Sequence, residues 1–229
     1  MSDLPGRVRA ALAAVAEPER AAAMQAYMKS AMPYLGVPAE PMRAACRTVF
    51  AELAFASAAD WEQAVRDLWD GARHREERYA ALELTAVRQA RAFQTLTALP
   101  LYEHLVVTGA WWDVVDPVAS GRLWTLLARD GEPMRAAMLA WAADDDIWKR
   151  RCAILCQNPA GAATDPELLA ACIAPSLGRR EFWLRKATGW ALRQYARTDP
   201  DWVRGYVAAH GDALSPLSRR EALKAIGPA

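Results

Sequence analysis

A hexapeptide near the middle of the chain combines two indoles with two carboxylates, in Trp111-Trp112-Asp113-Val114-Val115-Asp116. Neighbouring residues on a helix point about 100° apart, so the two tryptophans cannot share a face and we expect at least one to leave the core. Asp116 follows Trp112 by one turn and shares its face. A carboxylate beside an indole can stabilise developing positive charge or orient an attacking water. This spacing predicts a functional site.

A repeated motif follows the hexapeptide. Trp148-Lys149-Arg150-Arg151 and Trp183-Leu184-Arg185-Lys186 share the pattern W-x-R-[RK], and Leu217-Ser218-Arg219-Arg220 continues it with Leu in place of Trp. The motif starts are 35 and 34 residues apart, and a step of 37 residues back from Trp148 reaches Trp111. Periods of this length are typical of stacked helix pairs, which can line a concave surface.

Basic residues recur at one place in this repeat, so we expect them to form a stripe that follows the phosphates of duplex DNA. The alternative is that they are solvated helix-start residues paired with nearby acids such as Glu181. Cations at helix starts oppose the helix dipole, and the repetition of that cost favours a ligand. The basic residues predicted to contact DNA are Lys149, Arg150, Arg151, Arg185, Lys186, Arg193, Arg219 and Arg220.

The elements that carry these residues are predicted to be helical throughout. Ala, Leu, Arg and Glu dominate, whereas Pro and Gly fall between segments. We expect one all-α repeat domain over residues 1–229, with no strands. The predicted helix starts are Asp3, Pro18, Glu40, Ala59, Arg75, Pro100, Trp111, Pro133, Asp145, Pro166, Arg180, Pro200 and Ser215.

Composition excludes several classes of protein. The net charge is only +1, so affinity for a polyanion has to come from clustered charge. No apolar run is long enough for a membrane span, and the N-terminus makes a poor signal peptide. We expect a cytoplasmic protein that associates with the nucleoid when bound to DNA. Four cysteines without a CxxC pair and three scattered histidines predict buried thiols and no metal site.

The sequence contains ten tryptophans, and their neighbours indicate which of them serve the site and which serve packing. Trp112 and Trp190 are assigned to the site, because Asp116 follows the first and Gly189 precedes the second. A glycine inside a helix costs about 1 kcal/mol relative to alanine, so Gly189 predicts close approach of a ligand or of another helix. The tryptophans assigned to packing are Trp61, Trp69, Trp124, Trp141 and Trp202.

A carboxylate between indole faces in a DNA-binding groove suits one kind of substrate. Indoles attract cations, and a carboxylate stabilises an oxocarbenium-like sugar. A cationic alkylated purine has a weakened N-glycosidic bond and leaves such a sugar behind. The residues therefore predict hydrolysis of that bond without a metal or another cofactor.

The motifs resemble those of the DNA alkylation repair family, and in particular its AlkD-like DNA glycosylases, which are HEAT-like helical-repeat solenoids. The resemblance extends from about Ala22 to Lys224 and includes five separated motifs in matching order. They are Tyr27-Met28-Lys29 with Pro33 to Pro38, Arg75 to Ala80, Trp111 to Asp116, Trp148 to Ile154, and Lys186 to Tyr195.

The resemblance implies a monofunctional glycosylase that removes N3- and N7-alkylated purines, such as 3-methyladenine and 7-methylguanine, from duplex DNA without deep base flipping. Asp116 resembles the family's catalytic carboxylate, and Trp112 and Trp190 resemble the aromatic pair near the lesion. Arg151 resembles its phosphate-contacting arginine, and Tyr27 resembles a further residue of the groove. We expect the protein to act as a monomer.

Two alternatives remain open from the sequence. One is a non-catalytic HEAT-like protein that binds distorted or branched DNA, and the other is a protein-interaction scaffold. Gln194 stands where the family pattern suggests an acid, and Trp183 stands where an aliphatic residue or Phe is commoner. A lyase step is not expected, because Lys149 and Lys186 are better interpreted as phosphate partners.

Overall fold

The computed structural model describes residues 3–226 and is helical, with no strand among those residues. The all-α prediction is confirmed. The helices are α1 (Leu4–Ala13), α2 (Pro18–Met28), α3 (Ala39–Phe50), α4 (Ala58–Asp70), α5 (Arg75–Leu84), α6 (Leu99–Gly109), α7 (Trp112–Pro117), α8 (Trp124–Asp130), α9 (Glu132–Ala143), α10 (Ile147–Leu155), α11 (Pro166–Ile173), α12 (Phe182–Tyr195), α13 (Pro200–Ala209) and α14 (Pro216–Leu223). None of them is long and apolar enough to cross a membrane.

Short polar residues start several of these helices, as their capping chemistry predicts. The Asp165 side chain accepts hydrogen bonds from the first turn of α11, Asp199 from that of α13, and Ser215 from that of α14. A proline follows each of them in the first turn, where its missing N–H costs no helical hydrogen bond. Each predicted helix start lies within two residues of an observed one.

The segment after Asp116 was predicted incompletely. The sequence indicates one helix from Trp111, but α7 ends at Pro117, a π-helical turn follows over Val118–Leu123, and α8 begins at Trp124. Pro117 has no N–H to donate to the preceding turn, so the regular α-helical ladder cannot continue through it. Pi-helical turns are often found beside functional residues, and this one directly follows the α7 turn that carries Asp116.

The chain divides into two compact units between Ala98 and Leu99. In the first unit, α1, α3, α4 and α5 pack around a core in which Trp61 and Trp69 are fully buried. The indole Nε1 of Trp61 donates a hydrogen bond of 3.1 Å to the Leu84 carbonyl. Both tryptophans therefore serve the core, as predicted.

A buried carboxylate on α5 joins that helix to the segment that precedes α3. Glu76 is fully buried, and its carboxylate accepts hydrogen bonds from the backbone N–H groups of Leu35, Gly36 and Val37. Gly36 has a φ of +83°, a conformation that disfavours a side chain. The motifs at residues 33–38 and 75–80 are therefore joined by buried hydrogen bonds, which have a structural role.

In the second unit, the helices that carry the repeated motif pack side by side. Helix α10 packs against both α7 and α12, and α12 packs in turn against α14. The prediction of stacked helical repeats is confirmed for this unit. The stacking brings residues about 35 positions apart into contact.

Candidate active site

Asp116 and Arg151 form the centre of the candidate site. The arginine Nε donates to Oδ1 of Asp116 at 2.7 Å, and its Nη2 donates to Oδ2 at 2.8 Å. The side chains are 14% and 5% exposed, so water is largely excluded from the pair. A two-fold contact of this kind fixes the orientation of the carboxylate as well as its charge.

Trp183 completes the contacts of Arg151. The guanidinium Nη1 donates to the Trp183 carbonyl oxygen at 2.7 Å, and the guanidinium carbon lies 5.7 Å from the centre of the indole ring. Each of the three side-chain nitrogens of Arg151 therefore has an acceptor. These bonds use three of the five guanidinium N–H donors, and the side chain is 5% exposed, so little of Arg151 is accessible to a phosphate in this structure.

The electrostatics of Asp116 reflect two opposing effects. Burial raises the pKa of its carboxyl group, and the neighbouring Asp113 adds to this rise. Hydrogen bonds and positive charge from Arg151 act in the other direction, but the pKa stays above its ordinary value. The site thus holds a poorly hydrated carboxylate, which interacts strongly with positive charge that develops nearby.

Three tryptophans join the helices around this pair. The ring centres of Trp111 and Trp183 lie 5.1 Å apart, those of Trp148 and Trp183 lie 5.8 Å apart, and those of Trp111 and Trp148 lie 6.0 Å apart. We call these residues the tryptophan cluster. They occupy equivalent positions of the sequence repeat, at the starts of α7, α10 and α12. The 37- and 35-residue spacings were the signal that could have predicted their contact.

The two tryptophans assigned to the site lie on the helices that the cluster joins. Trp112 is the first residue of α7 and Trp190 lies in α12, and both are half-buried. Trp112 precedes Asp116 by one turn, and Trp190 follows Trp183 by about two turns, so each shares a helix face with a residue of the Asp116 site. Half-buried indoles retain surface for a ligand.

Gly189 is explained by another helix rather than by a ligand. A Cβ on this residue would lie 2.7 Å from Cβ of Glu221 and 3.1 Å from the backbone of Ser218. Real Cβ contacts are not that short, so a side chain at position 189 would push α14 away. Of the two explanations that the sequence allowed, helix packing is correct.

Several predicted DNA contacts are paired with acids in this structure. Lys149 binds the carboxylates of Glu103 at 2.6 Å and Asp144 at 2.5 Å. Burial opposes the charge of Lys149, but hydrogen bonds to both acids hold its pKa above the ordinary value. The Lys149 ammonium group is therefore kept charged.

Glu221 pairs with two further cations, both on α12. Its carboxylate binds Arg193 at 2.6 Å and lies 3.8 Å from Lys186. The side chain of Glu221 is 15% exposed, whereas that of Lys186 is 39% exposed. These contacts agree in part with the alternative that the basic residues pair with acids of the protein.

Arg150 has a structural position. It is buried, and its guanidinium donates hydrogen bonds to the backbone carbonyls of Ala143, Asp144 and Pro175. The sequence placed Arg150 on the DNA-facing stripe because it follows the same motif as its neighbours. Arg150 instead joins the start of α10 to the segment after α11. Because its guanidinium is buried and bound to backbone carbonyls, the structure does not support the predicted phosphate contact.

The remaining cations differ in exposure. Arg219 and Arg220 are exposed on α14, Arg185 is half-buried on α12, and none of the three has an ion pair with a residue in the range 3–226. These three can therefore bind an anion without losing an ion pair to any residue that the structure describes. Tyr27 lies in the first unit, near the end of α2, and is 76% exposed.

Burial holds the four cysteine thiols in their neutral form. Cys46, Cys152, Cys156 and Cys172 are all free thiols and all buried. Burial raises the pKa of each of them, to about 12 for Cys46 and Cys172. The prediction of buried thiols is confirmed. No group of three or more metal-binding side chains occurs among the described residues.

Comparison with known proteins agrees with this architecture. A solved structure described as a predicted DNA alkylation repair enzyme from Enterococcus faecalis is similar to this chain, with 29% sequence identity and a TM-score of 0.84. The match covers 93% of this chain and 98% of that chain. Among curated proteins, none matches this chain. The sequence also matches the family described as DNA alkylation repair enzyme over residues 8–226, which include every residue of the candidate site, and the chain therefore belongs to that family of repair enzymes.

Proposed function

We propose that this protein is a monofunctional DNA glycosylase that hydrolyses the N-glycosidic bond of N3- and N7-alkylated purines in duplex DNA. The observation that carries this proposal is the Asp116 carboxylate, which is mostly buried yet held in a defined orientation by Arg151. A carboxylate in dry surroundings stabilises an adjacent cation far better than one in water.

The reaction follows from the charges of substrate and site. An alkylated purine is a cation, so the electrons of the breaking C1′–N bond neutralise its ring as it leaves. The sugar is left with oxocarbenium character, which the negative charge of Asp116 stabilises. Water then adds to C1′ and releases a proton, and the product is an abasic site. Asp116 is the catalytic residue in this scheme, and it also orients the attacking water.

Trp112 and Trp190 supply the aromatic faces in the proposed site. Indole faces attract cations, and a half-buried indole can pack against a sugar or a positively charged base. Both residues lie on helices that also carry parts of the Asp116 contact network. We assign them to the surroundings of the lesion, and this agrees with the family membership.

The DNA backbone is assigned to the cations that the structure leaves accessible. Arg185, Arg219 and Arg220 are expected to bind phosphates directly, since they have no ion pair within the described part of the chain. Lys149, Lys186 and Arg193 would exchange an acid partner for a phosphate. Tyr27 is proposed as a further DNA contact because it is strongly exposed.

The deciding experiment measures release of 7-methylguanine from methylated duplex DNA. The wild-type protein should release the base, and Asp116→Asn should suppress release while binding the DNA about as tightly or more tightly. Asp201→Asn, which alters an exposed carboxylate on α13, serves as the matched control and should behave like the wild type. Binding without release by the wild type would reject the glycosylase and favour a non-catalytic DNA-binding protein.

A further inference from the structure

Trp183 touches Arg151 in two ways that do not depend on the substrate. Its backbone carbonyl accepts a hydrogen bond of 2.7 Å from Nη1, and its indole ring lies 5.7 Å from the guanidinium carbon. The other two nitrogens of Arg151 bind Asp116. A rotation of the guanidinium would therefore break a hydrogen bond, either to the Asp116 carboxylate or to the Trp183 carbonyl.

Trp183 is itself held on several sides. It packs edge-on against Trp111 at 5.1 Å and against Phe182 at 5.0 Å, and it lies 5.8 Å from Trp148. Trp111 directly precedes α7, which carries Asp116, whereas Trp148 is on α10, which carries Arg151. The tryptophan cluster thus joins the helices of both charged residues to α12.

We propose that Trp183 is a positioning residue, which holds the Arg151 guanidinium in register with the Asp116 carboxylate and so sets where the negative charge of the site stands. This inference rests on the proposed function, in which Asp116 meets the sugar. Trp183 does not touch the substrate in this scheme, and its effect on catalysis is exerted through the position of Arg151. A misplacement of about 1 Å in such a site can cost on the order of a hundredfold in rate.

The size of the indole matters for this role. A leucine at position 183 would keep the backbone carbonyl but remove the ring above the guanidinium and the edge contacts that hold the start of α12. A phenylalanine would keep a smaller ring. We therefore expect a graded effect, with Trp183→Leu more severe than Trp183→Phe.

The test uses the full chain with Trp183→Leu, Trp183→Phe and a control, Trp202→Phe. Trp202 lies in α13 of the same unit and packs against Tyr195 and Tyr206 at 5.3 and 5.1 Å, so it tests for loss of an indole from another aromatic group. Thermal unfolding first establishes which variants are folded. If Trp183→Leu does not fold, the same comparison is made with Trp183→Phe.

The first readout is independent of activity. The Arg151 Nε–H proton should exchange slowly in the ¹H–¹⁵N NMR spectrum of the wild type, because it is buried and bound to Asp116. It should exchange faster in the Trp183 variants but not in Trp202→Phe. The Asp116 carboxyl, followed by ¹³C NMR, should titrate at higher pH in the Trp183 variants, because Arg151 favours its ionised form. Within residues 3–226, the other titratable groups that interact with Asp116 are Asp113 on α7 and Cys152 on α10, and all variants retain them.

The second readout is the single-turnover rate of base release over a range of pH. Trp183→Leu should lower this rate on the order of tenfold, with DNA affinity unchanged, and should move the acidic limb of the profile to higher pH. Unchanged Arg151 exchange and an unmoved Asp116 titration in folded Trp183 variants would overturn the positioning role. A wild type that releases no base would reject the proposed function alone, since the NMR readouts would still decide whether Trp183 positions Arg151.

Discussion

Cβ of Glu221 lies 2.7 Å from the point at which a Cβ on Gly189 would stand. The same glutamate binds Arg193 and Lys186 through its carboxylate. The absence of a side chain at Gly189 therefore allows α14 to bring an acid against two cations of α12. Packing between these helices and the charge of the predicted DNA surface depend on one close contact.

Gly189→Ala should destabilise the protein by up to about 2 kcal/mol. A helical alanine gains up to about 1 kcal/mol relative to glycine, but the overpacking against Glu221 and Ser218 costs about 1–3 kcal/mol. Urea unfolding measures the difference. Gly205→Ala, in α13, is the matched control because a Cβ there meets no atom within 4 Å, and it should stabilise the protein. Equal stabilisation by both substitutions would show that α14 shifts to accommodate the new Cβ at position 189 without a measurable loss of stability.

Glu221→Gln should increase the affinity for duplex DNA and make its dependence on salt steeper. The substitution keeps the shape of the side chain but releases Lys186 and Arg193 for phosphates, and each added phosphate contact adds about 0.9 to the slope of log K against log salt. Titrations at several salt concentrations measure this slope. Glu167→Gln, an exposed change on α11, removes the same charge elsewhere. If both variants gain affinity equally, only net charge is responsible.

Arg151→Met should cost about 3–5 kcal/mol of stability, because it leaves the Asp116 carboxylate buried without its partner. The double variant Arg151→Met with Asp116→Asn should recover part of that loss, since the unpaired charge is then removed. Chemical denaturation of the single and double variants measures the coupling. Arg219→Met replaces an exposed arginine and should change stability by less than about 0.5 kcal/mol. An equally small effect of Arg151→Met would mean that the ion pair is dispensable for folding.

Base release should be lost as the pH falls through the raised pKa of Asp116. The ionised carboxylate is the active form, and burial raises this pKa, so the acidic limb should lie at higher pH than the ordinary pKa of an aspartate would give. Asp113→Asn removes a nearby negative charge and should move the limb to lower pH. The pH dependence of the single-turnover rate measures both effects. An acidic limb at the same pH in Asp113→Asn and in the wild type would argue against Asp116 as the titrating group.

The raised pKa of Asp116 also makes the unfolding free energy depend on pH. A fall in pH, which should reduce activity, should increase the contribution of this residue to stability. The folded protein binds a proton at Asp116 more readily than the unfolded chain, so the contribution of this residue to stability increases as the pH falls between the unfolded and folded pKa values. Asp116→Asn should flatten the pH dependence of the unfolding free energy in that window. Denaturant titrations at a series of pH values would show this.

No strand cleavage should accompany base release. A lyase step needs a neutral amine, and Lys149 keeps its proton because Asp144 and Glu103 hold its pKa above the ordinary value. Gel analysis after borohydride treatment should therefore reveal neither nicked DNA nor a trapped adduct, whereas alkali should cleave the abasic product. A trapped adduct that disappears in Lys149→Arg would contradict this expectation.

Local sequence was sufficient for all of the helices except α8. Their starts followed from short-range chemistry, because a capping side chain such as Asp165 and the proline after it act within one turn. The break after Asp116 was missed, since Pro117 is also compatible with the start of a new helix, and the continuation through a π-helical turn depends on packing of the whole segment.

The sequence by itself determined which residue types are available for chemistry, together with the repeat that aligns them. It identified Asp116 and Arg151 separately, and it assigned the arginine to a phosphate. Only the tertiary structure decided that these residues bind each other, that Arg150 is buried and that Glu221 pairs with Lys186. Contacts between residues 35 positions apart arise from the packing of α7, α10, α12 and α14, and no local propensity encodes them.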